Sequence, residues 1–392
     1  MPIVLPTIVH LDADAFFVAV EQALDPSLRG KLVAVGGRER GIIASASYEA
    51  RARGVYTPMP SVQALKICPG LILVSNGFKR YGEFSRRMFE ICETLTPIVQ
   101  RNSIDEGYLD LGPCGFKSIV EIERRVRAIQ KRIWDELQIT ASFGIATNKL
   151  VSAIASKAKK PNGFTVVPPG GESEFLAPMK ISVIPGVGKK TELRLEAEGI
   201  RLVRDLFTRN ESELKALFGS GWAEMLAMGR GEDCRPVETD REDAKSYSQQ
   251  ETFGQDISDA AEIERIAKRM IDELMPAIRA DRKQVRTMTV KVRYAGMEDS
   301  VCGRSLPVAT DLEASFYPLV KPLLKEAWTK RRPLRLVSVR FSGVEEPPAQ
   351  LEMFGETNEK KRRLAAVLDQ LNLKRKTPVV RHGHQLVRVI KR

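Results

Sequence analysis

The sequence predicts an α+β chain of several domains, and three observations carry that reading. Apolar runs of strand length alternate with segments of helical spacing over residues 1–169. Residues 170–237 show helical spacing alone, and residues 246–345 follow the order βαββαβ. Period-two and period-3.6 patterns that alternate in this way describe sheets covered by helices. At 392 residues the chain has room for roughly two to four such units.

Each element can be justified in turn. TIVHLDADAFF is an apolar strand ending in acids, and FFVAVEQAL after it has helical spacing. KLVAVGG and GIIASAS read as strands and YEARARGV as a helix, in a stretch that closes near GLILVSNG. Residues 80–100 read as a helix. IVQRNSIDEGYLDL holds two short strands with Asp105 and Glu106 at the bend between them. Ile119, Ile122, Val126, Ile129 and Ile133 share one face of the next helix. ITASFGIAT is a strand, and NKLVSAIASKAK is a helix stopped by Pro161 and Gly163. This interleaving suits a sheet with its helices on one side. Residues 170–237 enclose IPGVGKKTELRLEAEGI, and the charged run 238–245, ETDREDAK, has the character of an exposed linker. Beyond it come strand SYSQQETF, a helix over 259–280, and strands VRTMTVKVRYA and DSVCGRSL. A helix over 311–328 and strand RLVSVRFSGV complete the unit. The tail, 346–392, contains one helical stretch over 358–371.

Composition narrows the function. Hydrophobic content of 43% and charged content of 29% belong to a globular protein, not a disordered one. No apolar run approaches a membrane span, and the N-terminus has no basic leader, so a cytoplasmic protein with no membrane partner is expected. The five cysteines lie far apart without a CxxC, which reads as reduced core thiols. Histidine only at 10, 382 and 384 argues against a His-rich metal site or a His-based triad. The net charge of +12 is uneven: residues 1–244 carry +2, 245–345 carry +4 and 346–392 carry +6. A basic C-terminal portion implies an anionic polymer as partner.

Two adjacent acids in a strand-like stretch repel, and burying either one unpaired is costly. Asp12 at a strand end, together with Asp105 and Glu106 at a bend, could gather two divalent cations. Two Mg²⁺ ions ~4 Å apart repel by roughly 17 kcal/mol at an effective dielectric near 20, so only dense anionic ligands make the pair tolerable. Carboxylate oxygens are the hard ligands Mg²⁺ prefers. The pattern alone leaves open whether Asp12 reaches Asp105.

The segments HLDADAFFVAVE, ASYEARARGV, SIDEGYLDL, ASFGIATNKLVSAIASKAKKPNG, IPGVGKKTELRLEAEGI and RRPLRLVSVRF occur in the order found in Y-family translesion DNA polymerases. The chain resembles the DinB branch of that family over about residues 7–345. The resemblance implies a palm (1–15 and 79–169), small fingers (16–78) and a helix-hairpin-helix thumb (170–237). A linker (238–245), a little finger (246–345) and a tail (346–392) would follow. It also implies template-directed addition of dNTPs to the 3′ end of primer-template DNA by a monomer, without proofreading. A noncatalytic relative that scaffolds a repair assembly is the alternative, and the three acids speak against it.

Matched by position, Asp12, Asp105 and Glu106, with the carbonyl of Ala13, would hold two Mg²⁺ ions, and Asp14 would support the strand end. Phe16 and Phe17 stand at a helix start, where free N–H groups favour phosphate, and Phe17 matches the steric gate against a ribose 2′-hydroxyl. Tyr48, Arg51 and Lys160 match triphosphate contacts, and the small residues Ala44 and Ala46 would form a roof over the nascent pair. Gly186 and Gly188 permit a tight turn at a DNA phosphate, with Lys189 and Lys190 adding charge. In the third domain Met288, Val290, Val292 and Tyr294 alternate with Thr289, Lys291 and Arg293, which sends a basic face towards duplex backbone. Gly107 stands where alanine commonly follows the acid pair, a change expected to be tolerated. QLEMF, with Gln350, Leu351, Met353 and Phe354 as anchors, resembles the peptide that binds the bacterial sliding clamp.

Overall fold

The computed structural model describes residues 4–38, 40–75, 78–239, 243–330, 332–347, 356–373, 380 and 383–385. It divides into two compact units, Met1–Arg241 and Glu242–Arg392.

In the first unit the order is β1 (Ile8–Ala13), α1 (Phe16–Leu24), β2 (Val33–Gly36), β3 (Ile43–Ala46), α2 (Tyr48–Ala52), α3 (Ser61–Ile67) and β4 (Ile72–Val74). There follow α4 (Phe78–Glu93), β5 (Val99–Arg101), β6 (Glu106–Asp110), α5 (Ile119–Leu137), β7 (Ala141–Ala146), α6 (Lys149–Ala158) and β8 (Phe164–Val166). Five strands form a mixed sheet in the order β5-β6-β1-β7-β8, parallel only between β7 and β8. Three more form a small sheet, β3-β2-β4.

Side chains alternate across β1, and that alternation sorts the helices. Val9 and Leu11 share a core with Phe143 and Ile145, with Met88 and Phe89 of α4, and with Ile122, Val126, Ile129 and Ile133 of α5. Each such buried side chain contributes about 1.5–3 kcal/mol. His10 and Asp12 point the other way, opposite Gly144 and Ser142. Here α6 lies so close that a Cβ on Gly144 would stand 2.1 Å from the Ser152 carbonyl oxygen and 2.3 Å from the Ser156 nitrogen. The expectation of helices on one side is therefore wrong for this sheet: both faces are covered. The helix expected over 80–100 ends at Glu93. Thr94 Oγ1 donates to the Ile91 carbonyl (2.6 Å), and Pro97 disfavours helical backbone in the residue before it. Gly107 is fitted tightly, because a Cβ there would meet the Gln100 carbonyl oxygen at 2.6 Å and the Phe89 ring at 2.7 Å.

Residues 170–237 form α7 (Glu172–Leu176), α8 (Lys189–Ala197), α9 (Glu211–Phe218) and α10 (Trp222–Gly229), joined by 3₁₀ turns. Ile181, Ile184, Leu195, Val203 and Leu206 pack there against Val151 and Ala155 of α6.

The second unit runs β9 (Tyr247–Ile257), α11 (Ala260–Ala280), β10 (Gln284–Tyr294), β11 (Asp299–Thr310), α12 (Tyr317–Ala327), β12 (Leu334–Glu345) and α13 (Glu356–Leu373). Its antiparallel sheet has the order β11-β10-β12-β9, and Met288, Val290, Val292 and Tyr294 enter one core with α11 and α12. The tail helix α13 is fixed to α11 by Arg279, which donates to both Asp369 carboxylate oxygens (2.7 and 2.9 Å) and to Glu313 (2.6 Å). Gln350, Leu351, Met353 and Phe354 lie outside the described residues.

Among the described residues no helix is long and apolar enough to cross a membrane. The five cysteines are free, but Cys234 is exposed, so the thiols are not all in the core.

Candidate active site

Strand pairing brings the acids together. In the register of β1 with β6, Asp12 faces Glu106, and the Ala13 amide donates to the Asp105 carbonyl (2.9 Å). The bend is shaped by Ser103, whose Oγ accepts from the amides of Asp105 and Glu106 (3.2 and 3.1 Å) and donates to Asp105 Oδ1 (2.5 Å). Asp105 thus spends one carboxylate oxygen on Ser103. Among the described residues no three acidic, imidazole or thiol side chains converge closely enough to cage an ion by themselves.

After β1 the backbone turns through Ala15, whose φ of 46° is left-handed. That conformation costs alanine roughly 1–2 kcal/mol. It starts α1 at once, with no side-chain cap and no acid in its first turn, so its amides remain available to an anion. The result is a small pocket of about 180 Å³ lined by Asp12, Ala13, Ala15, Phe16, Phe17, Ala44, Ser45, Arg51, Thr57, Asp105 and Lys160. Phe17 is half-buried, its ring 4.7 Å from that of Tyr81, whereas Phe16 is buried in the core. Ala44 is exposed at the pocket, but Ala46 is buried in the core of the small sheet and makes no roof.

Two lysines stand on the acids. Lys160 Nζ donates to Asp12 Oδ1 and lies 3.4 Å from the Ala13 carbonyl oxygen. Lys157 Nζ lies 3.2 Å from Glu106 Oε2 and 3.9 Å from Asp12 Oδ2. Burial holds the Asp12 carboxyl above its ordinary value, against the pull of Lys160 and Lys157. Beneath them His10 is buried, with Nδ1 2.8 Å from Ser156 Oγ and Nε2 3.8 Å from Glu106 Oε2. Burial and the two lysines lower His10 to about 3, so its ring is neutral at physiological pH.

Lys160 is carried by a short loop that Asp14 ties down. Asp14 accepts from the Asn162 amide (2.7 Å) and from Ser142 Oγ (2.8 Å), and Ser142 Oγ accepts from the Gly163 amide (2.9 Å). Gln130 adds bonds to Ala141 and Asn162 oxygens (3.0 and 3.2 Å). Across the pocket Arg51 stacks 5.0 Å over the Tyr48 ring and donates to the Ala46 carbonyl (3.0 Å). The Tyr48 hydroxyl is buried without a hydrogen-bond partner of good geometry among the described residues. Burial and the neighbouring Asp14 carboxylate push it up to about 12.

The remaining candidates stand elsewhere. Gly186 has φ 88°, Gly188 precedes α8, and Lys189 and Lys190 are exposed at the start of that helix. Lys291 and Arg293 lie on the outer face of β10 in the second unit, where Arg293 is bound by both Asp299 oxygens (2.5 and 2.8 Å). His10, Ser103, Gln130 and Lys157 are partners that sequence reasoning missed. Only His10 had a signal: two residues before Asp12, it must share its face of the strand.

Residues 11–157 match the impB/mucB/samB family and residues 244–353 match its C-terminal domain. The chain is 67% identical over 386 residues to a DNA polymerase IV of Opitutus terrae, covering 98% of each. It is 36% identical over 372 residues to a DNA polymerase IV of Dehalococcoides mccartyi, covering 94% of each. Among solved structures it resembles a Y-family polymerase chimera of Dbh and Dpo4 (TM-score 0.78, 28% identity, 87% of this chain and 99% of that one). An insertion ternary complex of Dbh DNA polymerase is also similar (TM-score 0.62, 27% identity, the same coverage). With both family regions present and the strand-end acids paired in register, the chain belongs to the impB/mucB/samB family as a Y-family DNA polymerase of the DinB type.

Proposed function

We infer that the protein extends a primer along a DNA template, adding dNTPs to the 3′ end and copying past damaged bases. The observation that carries this reading is the small pocket where the acidic strand end, the start of α1, Arg51 and Lys160 meet.

Asp12, Asp105, Glu106 and the Ala13 carbonyl would hold two Mg²⁺ ions. Their donor set is entirely hard oxygen, and the Lys160 ammonium among the Asp12 and Ala13 oxygens is a cation already accepted there. Bound ions would ease deprotonation of the primer 3′-hydroxyl and neutralise charge on the phosphates. The chain's own groups do the rest. Arg51 and Lys160 supply charge to the triphosphate, Arg51 as a planar fork and Lys160 as a point charge. Tyr48 stays protonated at neutral pH, so its hydroxyl would be a donor for a phosphate oxygen. The uncapped amides of α1 favour the same negative charge. Phe17 fills the space a 2′-hydroxyl would need.

Lys189, Lys190, Lys291 and Arg293 would grip DNA phosphates, with Gly186 and Gly188 shaping the hairpin turn. The chain would divide into palm (1–15 and 79–169), fingers (16–78), thumb (170–237), linker (238–245) and little finger (246–345). The peptide 350–354 would dock on the bacterial sliding clamp, and the protein would work as a cytoplasmic monomer.

Primer extension on undamaged and lesion-bearing templates tests this. The wild type should extend both. Asp105→Ala and Glu106→Ala should each lose about a thousandfold or more in rate, the equivalent of several kcal/mol of transition-state stabilisation. Primer-template binding by both variants should stay nearly intact. Near-normal extension by both would remove the acids from the chemistry.

A further inference from the structure

We propose that Lys157 is a built-in competitor of the divalent cations, holding Asp12 and Glu106 until the ions displace its ammonium. This rests on the metal reading above. Asp12 and Glu106 face each other across two strands, a separation at which like charges destabilise a sheet. Lys157 Nζ sits between them, 3.2 Å from Glu106 Oε2 and 3.9 Å from Asp12 Oδ2. Its position is imposed from behind: Gly144 lets α6 lie directly on the sheet, so the last turn of that helix stands over the two carboxylates.

The two lysines are not equivalent. Lys160 is only 20% exposed and is held by Asp12 and the Ala13 carbonyl, with Asp14 3.7 Å away. Lys157 is 54% exposed, and among the described residues its ammonium pairs with the two carboxylates alone. A half-exposed ammonium on a four-carbon stem can swing into water when a doubly charged ion arrives. Its presence keeps the carboxylates poised, and each ion that binds must overcome it.

The test is Mn²⁺ titration of the full-length, DNA-free protein, followed by electron paramagnetic resonance of free Mn²⁺. Lys157→Gln, which keeps the stem and removes the charge, should bind Mn²⁺ about tenfold tighter than wild type, a modest change because the lysine is half-screened by water. Lys157→Arg should stay within about twofold of wild type, since the charge is retained. Asp12→Asn and Glu106→Gln serve as controls and should weaken Mn²⁺ binding. If they do, yet Lys157→Gln binds no more tightly than wild type, the competitor role is overturned. If the controls leave Mn²⁺ binding unchanged, the metal reading falls and takes the proposal with it. Melting temperatures of all variants separate lost binding from lost folding.

Discussion

At the end of β1, Lys160 and Lys157 are closed onto Asp12 and Glu106, and Asp12 itself is almost fully buried. On the outer face of β10, Lys291 and Arg293 stand beside Thr287 and Thr289, each only partly covered. The same charges do different work in the two places. At the strand end each group is held by a few specific partners, and removing one leaves a charge poorly compensated in a partly buried site. On the sheet face charges act through a screened, roughly additive field, so one can be lost without loss of the rest. Position decides in the first region, and number decides in the second.

The largest effect that would sharpen this contrast is at Phe17. Loss of its ring should raise the ratio of rNTP to dNTP insertion by about a hundredfold or more, since ~1.4 kcal/mol already corresponds to tenfold. Single-nucleotide insertion opposite one template base measures it, and an unchanged ratio would leave Phe17 a core residue only. Next comes Gly144→Ala. With backbone atoms 2.1 and 2.3 Å from the new methyl, α6 must move, at a cost of about 3 kcal/mol. Gly296 in the second unit has nothing within 4 Å of its would-be Cβ, so Gly296→Ala should stay within about 0.5 kcal/mol. Thermal unfolding compares the two, and equal melting temperatures would break the contrast.

A smaller effect is titrated at His10. The folded ring resists protonation down to about 3, whereas the unfolded one takes a proton near 6.5. Its contribution is therefore present above pH 6.5 and is lost as pH falls from 6.5 towards 3. At pH 5 the loss is about 2 kcal/mol, and His10→Asn should not show this part of the slope. Urea unfolding at a series of pH values reads the difference. The smallest effect belongs to the sheet face. Lys291→Ala should weaken primer-template binding a few-fold and lower its salt slope by about one, as expected for one lost phosphate contact. Arg293→Ala should change the slope less, because Asp299 already occupies the guanidinium. Fluorescence anisotropy across salt concentrations would show equal slopes if the Asp299 pair opens freely.

How far the site was legible in the sequence follows from the range of each interaction. The alternation of β10 is a local, period-two signal, and it reads directly as a buried face and a basic face. The pairing of Asp12 with Glu106 depends on register between strands 94 positions apart, which no local pattern fixes. The placement of α6 on the second face of the sheet was hidden because His10 and Asp12 make that face of IVHLDA polar, the pattern of a face turned to water. Ala46 looked like a partner of Ala44 two residues away, yet the packing of the small sheet buries it. Lys157, in a run of lysines at a helix end, has the composition of a solvated tail, and only its neighbours give it a role.

The bond between Lys160 and Asp12 closes 148 residues of chain, and the tie from Asp14 to Asn162 closes as many. Closing such loops is an entropic cost met only after the intervening strands have docked. A nascent chain that has emerged as far as Glu106 already owns all three acids, but lacks β7, α6 and the loop that delivers Lys160. The site at the end of β1 is consequently completed only once Asn162 has emerged and α6 has docked, not with the synthesis of its carboxylates.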